Sequence, residues 1–287
     1  MTGPRAESAS MPGPGPGPVG VASRFRAKYE AAATRSGSLL CVGLDPDPAQ
    51  LPTGVDRATF LRTVIEATAD LVCCYKPNAA FFEVDGAAGW EDLRATIAAA
   101  PADVPMLLDA KRGDMANSAS FYARAAFETL GADALTISPY QGGDAVEPYL
   151  AYADRHSFVL CHTSNAGSRE LQDLLVDGRP LYERVALLAN AWNTRGNVGL
   201  VVGATYPEEA ARVRALCPEL LFLMPGVGAQ QGDLEAAVRA ARDARGGGVL
   251  VNASRAVLYA SRGADYAQAA RAAARTLRDA IAAALRA

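Results

Sequence analysis

The feature that most constrains the fold is a regular alternation of short apolar runs with longer stretches rich in Ala, Arg and Glu. Eight apolar runs of strand length lie between residues 39 and 254, and most are continuously apolar and do not alternate with polar residues. Continuous apolar character is typical of parallel strands that are covered on both faces. The runs occupy 39–44, 71–75, 104–109, 132–138, 157–162, 197–203, 220–226 and 248–254.

The stretches between these runs have helical periodicity, as in RATFLRTVIEATAD (57–70) and SASFYARAAFETLG (118–131). Eight strand–helix units in roughly 260 residues favour a closed barrel. An open doubly wound sheet is the alternative, but GLDPDPAQ (43–50) after the first run lacks the glycine fingerprint of a dinucleotide site. We therefore predict an α/β fold, a (β/α)8 TIM barrel, with residues 21–287 as its single domain.

Residues 1–20 differ from the rest in composition. Their Pro-Gly alternation cannot bury a core, which predicts a disordered tail. This segment has no apolar stretch of signal-peptide length, and no run in the chain approaches the roughly 20 apolar residues of a membrane span. We expect a cytoplasmic protein that does not insert into a membrane.

The charge and the cysteine content exclude further classes of protein. A net charge of −3 gives no bulk electrostatic reason to bind nucleic acid. The five cysteines lie mostly in apolar runs, which is typical of buried free thiols in a reducing compartment. The two histidines have no nearby ligand residues, so the sequence predicts no metal site.

Charged residues collect where the second and third apolar runs end. Lys76 follows the second run, and the third ends at Asp109 with Lys111 and Asp114 just beyond. Catalytic groups of (β/α)8 barrels lie at these strand ends. Only three of the 28 basic residues are lysines, and an ammonium can donate a proton where an arginine cannot. Alternatively, the cluster is a salt-bridged loop anchor and the lysines are chance survivors of codon bias.

Two glycine-rich or small-residue loops follow the last two runs. PGVGAQQGD offers backbone N–H groups, with Gly226 and Gly228 permitting close approach and Gln230 adding an amide. NASR brings Arg255 to the start of the final helical region. This barrel often binds phosphate at its seventh and eighth strands, so we predict a phosphate site there. The alternative is that both loops are simple turns and Arg255 is a surface residue.

Five motifs occur in one order along the chain: GLDPDP (43–48), YKPNAAFFE (75–83), DAKRGD (109–114), PGVGAQQGD (225–233) and NASR (252–255). Together they resemble the orotidine 5′-monophosphate decarboxylase family, and most closely its longer bacterial branch. The resemblance implies decarboxylation of orotidine 5′-monophosphate to uridine 5′-monophosphate, the last step of de novo pyrimidine nucleotide synthesis.

The resemblance also implies roles for a Lys–Asp–Lys–Asp array. Lys111 matches the residue that donates a proton to C6 of the pyrimidine, and Asp109 matches the residue near the substrate carboxylate. Lys76 matches the first lysine of the array. Asp114 matches an aspartate that reaches across a homodimer interface into the partner's site.

Five further residues match substrate-binding positions of the family. Asp45 matches the residue that holds the ribose hydroxyls, and Ser164 the one that reads the pyrimidine edge. Gln230 and Arg255 match the phosphate ligands. Ser118 keeps a hydroxyl where many relatives have Thr. The implied ligand is a small-molecule nucleotide.

The implied chemistry explains why Lys is needed at position 111. Decarboxylation leaves an electron pair at C6 in the plane of the ring, where no imine or thiamine-like sink can accept it. Fixed charge must stabilise that pair, and an ammonium beside C6 can do so and then protonate the carbon. We therefore expect neither a metal ion nor another cofactor.

Two other functions compete with this interpretation. A magnesium-dependent sugar-phosphate decarboxylase or aldolase of the same superfamily would carry an acid at the end of the second strand, where this chain has Lys76. A lysine there would repel the metal ion. A non-catalytic phosphate-ligand sensor would be expected to lose the charged array, which this chain retains.

Overall fold

The computed structural model describes residues 23–226 and 231–286. In this part of the chain, eight parallel strands alternate with helices. The strands are β1 (Leu40–Leu44), β2 (Cys74–Pro77), β3 (Leu107–Arg112), β4 (Ala134–Ile137), β5 (His156–His162), β6 (Val198–Val202), β7 (Leu221–Met224) and β8 (Val249–Ala253). The α-helices are α1 (Arg24–Ser36), α2 (Arg57–Thr68), α3 (Ala80–Glu83), α4 (Gly86–Ala99), α5 (Ala116–Arg124), α6 (Gly143–Leu150), α7 (Leu181–Trp192), α8 (Pro207–Leu216), α9 (Gln231–Ala241), α10 (Arg255–Leu258) and α11 (Tyr266–Arg286).

The strands close into a ring. They are hydrogen-bonded in the order β2-β1-β8-β7-β6-β5-β4-β3. Parallel bridges between Tyr75 and Met106 and between Asn78 and Asp109 join β2 to β3, the two ends of that order. The predicted (β/α)8 barrel is therefore confirmed. The predicted tail at 1–20 lies outside the described residues.

Two strands lie further along the chain than their apolar runs predict. The runs at 71–75 and 104–109 correspond to β2 at Cys74–Pro77 and β3 at Leu107–Arg112. The first residues of each run are buried in the connection that leads into the strand, where burial also demands apolar side chains. The expectation that β3 ends at Asp109 is consequently wrong, because the strand continues through Lys111 to Arg112.

Helix α1 covers the N-terminal ends of several strands. Phe25 stacks on His156 at the start of β5, with ring centroids 5.1 Å apart. The Tyr29 hydroxyl donates to the carbonyl of Val249 at the start of β8, at 3.1 Å. Because α1 packs against this end of the barrel, the opposite end is left for the loops that follow the strands.

The long segment after β5 carries cover in addition to helix α7. It contains a 3-10 turn at Ala166–Glu170 and a short antiparallel hairpin of Leu175–Val176 with Arg179–Pro180. His162 Nε2 lies 3.1 Å from Asp173 Oδ1, which ties this segment to the end of β5.

The helices and the cysteines bear on two expectations about the class of protein. Among the helices in the described ranges, none is long and apolar enough to cross a membrane. All five cysteines are buried and free, as their apolar surroundings in the sequence predict.

Candidate active site

A bulge in β3 gives Lys111 an unusual backbone conformation. Leu108 pairs with Leu135 and Arg112 pairs with Ile137, so β3 takes four steps along the chain where β4 takes two. Inside the bulge Lys111 has a φ of 47°, in the left-handed region that side chains rarely permit. Bulges of this kind re-aim side chains, and they are frequent beside active sites.

The carboxylate of Asp109 lies between two ammonium groups. Its Oδ2 accepts a hydrogen bond from Lys76 Nζ at 3.0 Å, and its Oδ1 accepts one from Lys111 Nζ at 2.7 Å. Lys76 and Asp109 are 3% and 8% exposed, whereas the side chain of Lys111 is 49% exposed. Lys111 is therefore the member of this cluster that a ligand in solution can reach.

The three groups support one another's ionised forms. Burial favours the neutral form of Lys76, but the carboxylates of Asp45 and Asp109 outweigh it and raise the pKa of Lys76 above its usual value. Burial likewise opposes ionisation of Asp109, yet the ammonium groups of Lys76 and Lys111 lower the pKa of Asp109 to about 2. At neutral pH the buried Lys76–Asp109 pair is therefore fully charged.

Asp45 lies just past the end of β1 and is held from two sides. Its Oδ2 accepts from the Ser254 hydroxyl at 2.6 Å, and its Oδ1 accepts from the backbone N–H of Asn78 at 3.1 Å. The Tyr259 hydroxyl donates to the carbonyl of Asp45 at 2.8 Å and accepts from the N–H of Asp47 at 2.7 Å. These bonds fix the loop after β1 against the ends of β2 and β8.

Sequence reasoning missed the contribution of Ser254 and Tyr259 to this network. One signal was available, because Gly43 lies in β1 immediately before the Leu44–Asp45 step. A Cβ atom at Gly43 would lie 1.8 Å from the Ser254 hydroxyl oxygen. Only glycine at this position lets Ser254 approach Asp45.

Among the described residues, neither Asp114 nor Ser118 makes a hydrogen bond or an ion pair with the charged cluster of its own chain. Asp114 Oδ1 accepts from the backbone N–H of Met115 at 2.7 Å. Across the described residues, no ion pair joins Asp114 to Lys76 or Lys111. Ser118 is exposed near the start of α5. The structure thus brings together three members of the predicted four-residue array.

Ser164 lies just past the end of β5 among closely packed backbone. A Cβ atom at Gly203 would lie 2.8 Å from the Ser164 nitrogen, and one at Gly226 would lie 3.1 Å from Ser164 Cβ. The Thr205 hydroxyl donates to the Ser164 carbonyl at 3.3 Å. Glycines after β6 and β7 therefore leave room for Ser164 at the end of the barrel where the other strand-end residues lie.

The predicted phosphate site is described only in part. Arg255 is exposed and is the first residue of α10, directly after Ser254. The bond between Ser254 and Asp45 thus places the backbone of Arg255 beside the loop after β1. Gln230 and the other residues of 227–230 in the PGVGAQQGD motif lie outside the described residues.

Within residues 23–226 and 231–286, no group of three or more His, Cys, Asp or Glu side chains could hold a metal ion. The chemistry offered by the site is that of fixed charge. A half-exposed ammonium is held beside a buried carboxylate, and both lie close to strand ends. Such an arrangement can stabilise developing negative charge on a ligand and can then donate a proton to it.

The sequence is similar to that of a known enzyme family over most of its length. The family described as orotidine 5′-phosphate decarboxylase / HUMPS matches residues 38–273. The orotidine 5′-phosphate decarboxylase of Roseiflexus castenholzii is 57% identical over 270 residues, which cover 92% of this chain and 99% of that protein. The enzyme of the same name from Ralstonia pickettii is 53% identical over 265 residues, covering 90% and 98%.

The fold is similar to that of a solved structure over nearly the same length. The OMP decarboxylase of Leishmania donovani superposes with a TM-score of 0.81 at 46% sequence identity, covering 92% of this chain and 99% of that chain. Family, sequence and fold therefore agree over nearly the same part of the molecule. The chain belongs to the orotidine 5′-phosphate decarboxylase family and is an enzyme of the lyase class.

Proposed function

We propose that the protein converts orotidine 5′-monophosphate to uridine 5′-monophosphate and carbon dioxide, the last step of de novo pyrimidine nucleotide synthesis. The observation that carries this proposal is the buried carboxylate of Asp109, held between Lys76 and the more exposed Lys111. Membership of the family and the names of relatives that are more than 50% identical support the same substrate.

The proposed reaction needs a single proton donor. The bond between C6 and the carboxylate carbon breaks, carbon dioxide leaves, and the electron pair stays at C6. The ammonium of Lys111 stabilises that pair and then gives a proton to C6, after which water reprotonates the amine. Asp109 keeps Lys111 in place and faces the departing carboxylate, while Lys76 keeps Asp109 ionised.

The proposed substrate contacts surround this cluster. Asp45 binds the ribose hydroxyls, Ser164 reads the edge of the pyrimidine, and Ser118 contributes a hydroxyl. Gln230 and Arg255 bind the phosphate, far from the reacting carbon. Binding energy from the phosphate can then be used to organise the charged groups around C6. No metal ion or other cofactor takes part in this scheme.

We further propose a homodimer in which Asp114 enters the partner's site and completes the Lys–Asp–Lys–Asp array. Two observations support this arrangement. Asp114 makes no ion pair with the lysines of its own chain in the described structure. Large apolar side chains are also exposed nearby. Met115, Phe121 and Tyr122 lie at the start of α5 or within it, Val84 follows α3 and Tyr140 follows β4. A homodimer interface could cover such side chains.

A magnesium-dependent sugar-phosphate decarboxylase or aldolase is not favoured. The position at the end of β2 that would need a metal-binding acid holds Lys76, whose ammonium is buried and bonded to Asp109. Placing a divalent cation there would set two positive charges together in a buried site.

The five buried free thiols also fit the cytoplasmic location that we propose for the enzyme.

The test is the loss of orotidine 5′-monophosphate absorbance on adding purified protein in excess EDTA. Stoichiometric formation of uridine 5′-monophosphate despite the chelator is the expected result. A sugar-phosphate substrate turned over only with added Mg²⁺ would replace the proposal with its rival. Tight nucleotide binding without turnover would instead indicate a sensor.

A further inference from the structure

We propose that Thr136 is a positioning residue for the charged cluster, because its hydroxyl holds both the carboxylate of Asp109 and the strained backbone of Lys111. This role rests on the proposed function and extends it. Thr136 lies on β4 and is 1% exposed. A ligand at the strand ends can therefore not touch it directly, and any effect on the reaction must pass through its neighbours.

The hydrogen bonds of the Thr136 hydroxyl are all used. Its oxygen accepts from the backbone N–H of Lys111 at 2.9 Å and from that of Ala110 at 3.1 Å. Its hydrogen is donated to Asp109 Oδ1 at 2.9 Å. A hydroxyl has one hydrogen to donate and two lone pairs to accept with, so three bonds saturate it. Because backbone N–H groups can only donate, the direction of each bond is fixed.

The two backbone bonds compensate for the bulge. Between Leu108 and Arg112 the regular pairing of β3 with β4 is interrupted. The N–H groups of Ala110 and Lys111 bond to the Thr136 hydroxyl there, where regular pairing would offer a backbone carbonyl. A buried N–H without a partner is costly. Thr136 thus satisfies both groups and stabilises the conformation in which Lys111 has its φ of 47°.

The third bond orients the carboxylate. Asp109 Oδ1 receives the Thr136 hydroxyl and the Lys111 ammonium together, while Oδ2 receives only Lys76. With Thr136 in place the carboxylate plane cannot rotate without losing a bond. One hydroxyl therefore fixes both ends of the Asp109–Lys111 contact, the carboxylate and the main chain that carries the ammonium. Hydrogen bonds from a neighbouring polar residue commonly hold a catalytic group in its productive geometry.

The test compares Thr136→Val with Thr136→Ser. Valine keeps the shape and loses every hydrogen bond, whereas serine keeps the hydroxyl and loses a methyl group. Thr96→Val is the matched control, because Thr96 is also buried and its hydroxyl bonds only to the carbonyl of Asp92 on α4, at 2.7 Å. The readouts are kcat, KM, binding of uridine 5′-monophosphate by calorimetry, and the unfolding transition.

The expected result for Thr136→Val is a fall in kcat on the order of tenfold to a hundredfold, since small misplacements of catalytic groups have effects of this size. KM and product affinity should stay near wild type, because among the described residues the Thr136 hydroxyl bonds to Ala110, Lys111 and Asp109 and not to a proposed phosphate or ribose ligand. Thr136→Ser should restore most of kcat, and Thr96→Val should leave it unchanged. If the valine variant does not fold, Thr136→Ala replaces it with the same expectation.

Two results would overturn this inference and leave the proposed function intact. One is wild-type kcat in Thr136→Val while the wild-type enzyme is active. The other is an equal loss in the valine and serine variants, which would assign the effect to the missing packing of the threonine side chain. Wild-type protein that does not decarboxylate the nucleotide would overturn the proposed function, and this inference with it.

Discussion

The hydroxyl of Ser254 donates to Asp45 Oδ2 at 2.6 Å, and this bond joins the ends of the first and last strands of the barrel. Ser254 directly precedes Arg255. The bond therefore fixes Asp45, which we propose to bind the ribose, relative to Arg255, which we propose to bind the phosphate. Closure of the barrel is what brings them together, since 209 positions of sequence separate the two bonded residues.

Ser254→Ala should therefore weaken substrate binding. The change removes a hydrogen bond to a carboxylate and frees the Asp45 side chain, so we expect KM to rise about tenfold. Steady-state kinetics with orotidine 5′-monophosphate measure the effect. Ser261→Ala is the control, because Ser261 bonds to Asp265 in an exposed turn. An unchanged KM in the Ser254 variant would contradict the proposed role of Asp45.

Tyr259→Phe should lower stability. The Tyr259 hydroxyl bonds to the Asp45 carbonyl and the Asp47 N–H, and phenylalanine leaves both groups without it. We expect the free energy of unfolding to fall by about 1–2 kcal/mol, measured by urea denaturation. Tyr266→Phe is the matched control, since the Tyr266 ring packs on Phe60 and its hydroxyl has no hydrogen bond among the described residues. Equal losses in both variants would contradict a stabilising contribution from the two hydrogen bonds of the Tyr259 hydroxyl.

His156 should make stability depend on pH. Burial lowers the pKa of His156 to about 3, from a usual value near 6.5, so the folded protein holds the ring neutral. Between these values the unfolded chain binds a proton that the folded chain does not. Stability from this group is thus complete above pH 6.5 and declines as the pH falls toward 3.

Replacing the ring tests this origin of the pH dependence. His156→Phe keeps an aromatic group between Phe25 and Phe158, and it should flatten the curve of unfolding free energy against pH below 6.5. Ser23→Ala is the control, because it removes the hydrogen-bond partner of His156 Nδ1 and leaves the titrating ring. An unchanged slope in His156→Phe would assign the pH dependence to other groups.

The dimer proposal predicts complementation between two inactive variants. Lys111→Ala lacks the proton donor, and Asp114→Asn lacks the carboxylate that is proposed to act in the partner's site. In a mixed dimer one of the two sites has both wild-type residues. Random mixing should restore about a quarter of wild-type activity. Activity that stays at the level of the separate variants, although mixed dimers form, would place Asp114 in its own chain's site.

The fold could be predicted from sequence because strands that are buried on both faces of the sheet have nearly continuous apolar sequences. The mostly continuous apolar character of the eight runs implies parallel strands, and their number implies a barrel. The ends of β2 and β3 could not be placed, since apolar residues also fill the buried connections before the strands. The C-terminal end of β3 carries charged side chains. Hydropathy therefore does not show that Lys111 lies within the strand.

The charged cluster could be predicted in composition but not in geometry. The scarcity of lysine and the DAKRGD motif single out Asp109 and Lys111. Thr136, Ser254 and Tyr259 carry no such mark, because threonine, serine and tyrosine are common at strand and helix ends. Their roles depend on which strands become neighbours, and on a bulge that no local pattern predicts.

The most direct test of the account is the release of carbon dioxide from carboxyl-labelled orotidine 5′-monophosphate by wild-type protein and by Lys111→Ala. The account predicts rapid release by the wild type without any added metal ion. It also predicts that the variant releases carbon dioxide roughly a hundredfold to ten-thousandfold more slowly, which is the contribution of a positioned proton donor. A folded Lys111→Ala variant that releases carbon dioxide within about tenfold of the wild-type rate would contradict the assignment of Lys111 as that donor.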